Sequence, residues 1–256
     1  DMASPNPSSP AVIPTLSSNL EPLLSAWGIT FQDDKVVGDP RNAVRVNFRT
    51  NSGPQEVEYL PWLQLQGPNF NQEDFVTNEL RVLNVGTAGS LSFSDDENRK
   101  FSALISTGIG SGLMDAESIM FVRDPRVLID SFEDSPSRHV ISGRISGTFQ
   151  TAFPDKVTKS SSEQESDLSA SPKPLKVSEK PTTIIVTADT DLLADKFWVR
   201  FSDFAGIRIP ERFGNNGDFL VGPYHVRHIW APAQFECRIG NVFFNTTNGH
   251  CTKVII

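Results

Sequence analysis

Two aspartates on alternate positions, Asp189 and Asp191, close the most apolar run of this 256-residue chain, Thr183-Ile184-Ile185-Val186-Thr187-Ala188. Carboxylates spaced in this way at the end of a buried strand suit a hard cation such as Mg²⁺, and one of them can then face a phosphate as nucleophile. The chemistry would be hydrolysis, or glycosyl or phosphoryl transfer. Against it, Leu192 and Leu193 follow directly where small or hydroxyl residues are expected, and only 65 residues remain to bring a lysine and further acids. Strand-end solvation and helix capping is the preferred role. No metal or cofactor is assigned; Asp189 and Asp191 stay as the candidate pair of a metal-dependent alternative. A second polar cluster, Asn215-Asn216-Gly217-Asp218, has the residue types of a capped helix start. Asn215, Asn216 and Asp218 join the aspartates as candidates for an interaction or structural motif.

Other patterns are weaker. Gly108-Ile109-Gly110-Ser111-Gly112 follows a strand, but it lacks the Gly-Lys-Ser/Thr of a phosphate loop and reads as a turn. No Gly-x-Ser-x-Gly elbow occurs, and four histidines give a nucleophilic triad no support. Cys237 and Cys251 read first as incidental thiols; an oxidised pair, or zinc held with His225, His228 and His250, are lesser alternatives. Trp62 and Trp198 would serve a carbohydrate-binding surface if their rings were exposed.

The elements that must position these groups are short. Eighteen Phe against two Tyr, with 18 Pro and 17 Gly, speak against a helical bundle. A formal charge of −8 argues against nucleic acid as a partner. No run approaches the ~20 apolar residues of a membrane helix, and the opening Asp1-Met2-Ala3-Ser4-Pro5 has neither the basic start nor the apolar stretch of a secretory leader. One helix is well punctuated: Ser18 as cap, Glu21 three residues on, an apolar stripe at Leu20, Leu23, Leu24 and Trp27, and Gly28 as the stop. Strands are expected at Val36-Val37, Ala43–Phe48, Glu56–Leu65 (an edge or bend because of Pro61), Arg81–Val85, Ser90–Phe93, Phe101–Thr107 with Ile119–Val122 extending it, and His139–Phe149 with a smooth glycine face. Helices are expected after Asp124-Pro125, with Val127, Leu128 and Phe132 on one face, and at Asn215; Leu193–Phe204 reads as helix or loop. The solid apolar run at 183–188 has the look of a buried parallel strand.

The organisation is an extended lead-in at 1–14, a first domain part at 15–154, a disordered insertion at 155–181, a final strand and helix at 182–220, and an anomalous tail at 221–256. The insertion holds seven serines and no aromatic residue, too little apolar area to offset its ordering entropy. The tail holds both cysteines, three of the four histidines and one acid, Glu236.

Several segments in order resemble the GldG-like auxiliary component of an uncharacterised ABC-type transport system, related to gliding motility and to a domain of an intraflagellar-transport protein. They are Leu20–Gly28 running into Val36-Val37-Gly38-Asp39, Tyr59-Leu60-Pro61-Trp62-Leu63, Ile145-Ser146-Gly147 with Thr151-Ala152-Phe153-Pro154, Ile184–Leu193, and Asn215–Phe219. The resemblance implies a single α/β domain, a mixed and partly parallel sheet flanked by helices with a flavodoxin- or glutamine-amidotransferase-like layout, incomplete at its N-terminus. It implies a non-enzymatic domain on the extracytoplasmic (periplasmic) side of the inner membrane, tethered by transmembrane helices in full-length members. Its partners would be an ATPase and a permease. No catalytic residues come with it. The resemblance stops at about Val221, so residues 221–256 are expected to be a frame-shifted or foreign end.

Overall fold

The computed structural model describes residues 20–50, 53–94, 96–153, 176–178, 180–204, 206–221, 245–247 and 251–255. In chain order the elements are α1 (Glu21–Ala26), β1 (Ile29–Phe31), β2 (Lys35–Gly38), β3 (Ala43–Thr50), β4 (Gly53–Gln66), β5 (Val82–Gly86), β6 (Leu91–Phe93), β7 (Arg99–Ser106), β8 (Gly112–Asp115), α2 (Ala116–Met120), α3 (Arg126–Asp130), β9 (Val140–Gly147), β10 (Thr182–Thr187), β11 (Val199–Phe204), β12 (Ile207–Arg212), α4 (Asn216–Val221), β13 (Asn245–Thr247) and β14 (Cys251–Ile255). Single 3₁₀ turns lie at Gly67–Asn69, Asp191–Leu193 and Asp195–Phe197.

The expected α/β layout is overturned. Strands account for 45% and helices for 17% of the described structure, and no described α-helix exceeds six residues. A parallel sheet needs crossover connections of a dozen or more residues, normally helical, and helices this short cannot supply them. The strands form several small sheets instead. The largest runs β1-β6-β9-β10-β14-β13, with β7 also on β9; β3-β4-β5 form a three-stranded sheet, and β2-β8 and β11-β12 form pairs. Among the described residues every pairing is antiparallel except β10 with β14, which joins Thr183–Thr187 to Cys251–Ile255.

The apolar run that read as a parallel strand is β10, antiparallel to β9. Its solid hydrophobicity has another cause: both of its faces are buried. Ile185 enters one apolar cluster with Leu63, Leu65, Leu83, Val85, Leu104, Ile105, Ile141 and Phe219. Its neighbours Ile184 and Val186 enter another with Leu24, Ile29, Leu91, Ile145 and Phe149. A strand sandwiched between two cores loses the polar alternation in either orientation.

Local signals fared better than topology. Helix α1 buries Leu24 with Leu20 and Trp27 packed beside it, and Gly28 ends it at φ +72°. Leu20 occupies the cap position, and the expected cap Ser18 lies outside the described residues. Pro61 lies inside β4, the middle strand of its sheet rather than an edge. The sheet tolerates it because the partner register jumps there, from Val44↔Tyr59 to Ala43↔Leu63, so no ladder bond is asked of a residue without an N–H. Three readings are corrected: Ile119–Val122 belongs to α2 and its exit rather than a strand, Val127 on α3 faces outward while Leu128 is buried, and Val199–Phe204 is the strand β11.

The glycine face of β9 is packed. A Cβ on Gly143 would overlap the Phe101 ring, which stacks on Phe93 at 3.5 Å between centroids. Gly143→Ala is expected to destabilise the fold by about 1–3 kcal/mol through overpacking. A urea midpoint equal to that of the parent would contradict this.

Candidate functional site

The five residues singled out from sequence come from two distant segments, and the fold brings both to one place: the outer edge of β5. Leu83 and Val85 are aligned with Leu65 and Leu63 of β4. The intervening N–H groups of Val82, Asn84 and Gly86 point to the opposite edge, where a further strand would normally bond them. Side chains take that place. Asn215 Oδ1 accepts the N–H of Val82 at 3.0 Å and of Arg81 at 3.1 Å. Asn216 Oδ1 accepts the N–H of Asn84 at 3.1 Å, and Asp189 Oδ2 accepts that of Gly86 at 3.1 Å.

The outward carbonyls are met in the same way. The Val82 carbonyl accepts the Asn215 backbone N–H at 2.7 Å, and Asn216 Nδ2 donates to the Asn84 carbonyl at 2.6 Å. The same Asn216 amide nitrogen lies 3.1 Å from the Leu192 carbonyl, tying the 215–218 cluster to the turn that carries Asp191. Two consecutive asparagines therefore act as a short mimic of a strand. Helix α4 does start where expected, but both amides serve β5 rather than capping the helix's own N–H groups.

Asp189 is 3% exposed. Its Oδ1 accepts the Asp191 N–H at 2.8 Å, and a further backbone bond comes from Leu192, so it also fastens the 3₁₀ turn after β10. Burial, and secondarily the charge of Asp191, push its carboxyl well above the usual 3.8 despite these N–H donors. Asp191 is less enclosed, and its Oδ2 lies 3.0 Å from the Thr87 hydroxyl. That hydroxyl is also 2.7 Å from the Gly86 carbonyl. Thr87 is the one non-glycine described residue with positive φ, at 55°, and these two acceptors brace it there.

The chemistry open to this arrangement is narrow. Both oxygens of Asp189 already accept backbone N–H bonds, Oδ2 from Gly86 and Oδ1 from Asp191, and the carboxyl group is buried. A hard cation wants six or more oxygen ligands. Among the described residues no group of three or more His, Cys, Asp or Glu side chains could hold a metal. Asp218 completes the cluster structurally, accepting from Asn215 Nδ2 at 2.8 Å and from Arg212 at 2.5 Å.

Sequence reasoning missed Asn84, Gly86, Thr87 and Gly214. Phe197 packs where Gly86 lacks a side chain, and a Cβ on Gly214 would sit 2.8 Å from Asn84 Nδ2. The available signal was a polar Asn84 in the middle of an otherwise apolar strand. The glycine-rich loop at 108–112 is a turn, as expected, and the Gly108 N–H donates to the buried Asp39 at 3.1 Å. Trp62 is set edge-on to Tyr59 and Phe197, at 5.4 Å from each, and Trp198 packs beneath Gly217 with Arg212 over its ring. Neither indole stands as an open sugar platform. Cys237, His225, His228 and His250 lie outside the described residues, and of Cys251 only the backbone, in β14, is described.

The chain matches, over residues 1–222, the family described as an ABC-type uncharacterized transport system. It belongs to that family. It is thus an auxiliary component of an ABC-type transport system. No curated protein and no solved structure matches it. The family match ends one residue past α4, close to where the resemblance seen in the sequence stops.

Two outcomes follow from this geometry. Asn216→Ala orphans a buried N–H and two carbonyls and is expected to cost about 2 kcal/mol or more, whereas Asp191→Asn, at the more open position, is expected to cost far less. Equal unfolding midpoints for the two variants would contradict the edge-closing role. Because the folded pKa of Asp189 is raised, the folded chain binds its proton more tightly than the unfolded chain. The stability of the parent relative to Asp189→Asn should therefore fall as pH rises from about 4 to neutrality. A difference that grows with pH, read from urea melts, would show the opposite sign.

Proposed function

We propose that this family member is a non-enzymatic scaffold domain of its transport system, acting through protein or surface-ligand binding on the extracytoplasmic side of the membrane. Its partners in this reading are the ATPase and permease of the same system, in a gliding-motility-like complex. The supporting observation is the use made of the most reactive-looking residues. Asp189, Asn215 and Asn216 direct their hydrogen bonds to the backbone of β5, to the turn after β10 and to Asp218, an arrangement that supports a structural role.

The competing reading is a metal-dependent hydrolase or a glycosyl or phosphoryl transferase using Asp189 and Asp191. It is favoured only by the raised carboxyl of Asp189, a feature that structural networks share with active sites. A thermal-shift titration with Mg²⁺, Mn²⁺ and Ca²⁺ separates the two. A resident site stabilises as RT ln(1 + [L]/Kd), about 2.7 kcal/mol at a hundredfold excess over Kd. The expected result is a flat response in the parent and in Asp191→Asn, together with co-purification of the chain with the permease and ATPase when the three are co-expressed. Metal-dependent stabilisation lost in Asp191→Asn would instead establish the enzyme reading.

A further inference from the structure

The hairpin β11–β12 stands apart from the rest of the fold. Among the described residues its strands pair only with each other, and most of their side chains are open to solvent, none being buried. An isolated two-stranded ribbon is at best marginal in water, and this one carries its apolar side chains outward. The strands close at Phe204↔Ile207, which are 72% and 66% exposed, and Gly206 holds φ +80° in the turn. Apolar groups occupy both faces. Phe204, Ile207 and Ile209 share one, while Phe201 lies opposite Pro210 on the other, with the Arg208 guanidinium 4.4 Å from the Phe201 ring centroid.

The ribbon is rooted firmly. The Phe213 N–H donates to the Trp198 carbonyl at 2.9 Å, Arg212 pairs with Asp218, and Asn215 and Asn216 bind the β5 edge directly below. A projecting element with a fixed base and an apolar end has the form of a wedge.

We propose that this hairpin inserts its tip into the interfacial layer of an anionic lipid bilayer. Three features select lipid over a protein surface. A flat partner covers one face of a ribbon, whereas a wedge dipped into a headgroup layer covers both, as the two-sided apolar pattern requires. Twelve strand residues fall well short of the roughly 20–30 per side that a stable protein interface uses, while shallow insertion needs only a few apolar side chains. The charge is complementary at the tip: Arg200 pairs with Glu211 and Arg212 with Asp218, while Arg208, next to Ile207, carries its guanidinium over the Phe201 ring where headgroup phosphates would meet it. Pro210, without an N–H, also interrupts β12 as a template for an added strand. The inference stands independently of the transport reading.

The test is co-sedimentation of the chain with phosphatidylcholine vesicles containing 30% phosphatidylglycerol, against vesicles of phosphatidylcholine alone, for the parent and the double variant Phe204→Ser/Ile207→Ser. The substituted side chains are solvent-exposed, so the variant should melt like the parent, which a thermal scan verifies. The expected result is binding to the anionic vesicles, reduced about tenfold or more in the variant and weak on neutral vesicles. No sedimentation with anionic vesicles, equal binding to both compositions, or binding unchanged in a folded variant would each overturn the proposal. So would a concentration-dependent dimer, seen by light scattering without vesicle binding and lost in the tip variant, since the apolar end would then be covered by a second copy.

Discussion

An exposed strand edge is a row of unsatisfied backbone groups, and this protein depends on closing one of them. On β5 the outward N–H groups of Val82, Asn84 and Gly86 lie where Leu192 and Phe219 pack, both fully enclosed. Left unpaired, each would cost a large part of a hydrogen bond. A fourth strand would satisfy them and bring a new edge with it. Asn215, Asn216 and Asp189 satisfy them with side-chain oxygens and end the sheet there. One set of contacts thereby fixes the end of β10, the start of α4, the turn at Asp191 and the root of the β11–β12 hairpin.

The choice of side chains follows from what each position must offer. Asparagine has an acceptor and a donor on one planar group, so Asn216 can take the Asn84 N–H and give to the Asn84 carbonyl, as a peptide unit would. At Gly86 the backbone presents an N–H while its carbonyl faces the Thr87 hydroxyl. An acceptor-only carboxylate fits there, and its second oxygen serves the Asp191 N–H. Burial makes that carboxylate costly to ionise, and the nearby Asp191 adds to the cost. The arrangement persists because the backbone donors around Asp189 would otherwise be stranded.

Much of this was legible at short range. The α1 stripe, the glycine face of β9, the turn at 108–112 and the start of α4 all follow from periodicity and from residues with special backbone needs, which are local properties. Asp189, Asp191, Asn215, Asn216 and Asp218 were recognisable as residues too polar for their neighbours to be incidental. Their common destination was not recognisable, because it is set by β5, more than a hundred residues earlier. The sheet direction was misread for a definite reason. A strand buried on both faces shows the same apolar run whether its neighbours are parallel or antiparallel, and β10 is such a strand. The β11–β12 hairpin escaped because its residues alternate around solvent rather than around a core, so periodicity carried no signal of burial.

A polar constellation at the end of a hydrophobic strand has the same composition whether it serves chemistry or closure. What separates the two is the direction of the lone pairs and N–H bonds. In an active site some of them converge on open space where a reacting atom can sit. Around Asp189 they converge on the backbone of β5 and of the following turn. A cluster that uses its polar groups internally leaves recognition to surfaces elsewhere, and the most exposed apolar surface rooted in this cluster is the hairpin it holds upright.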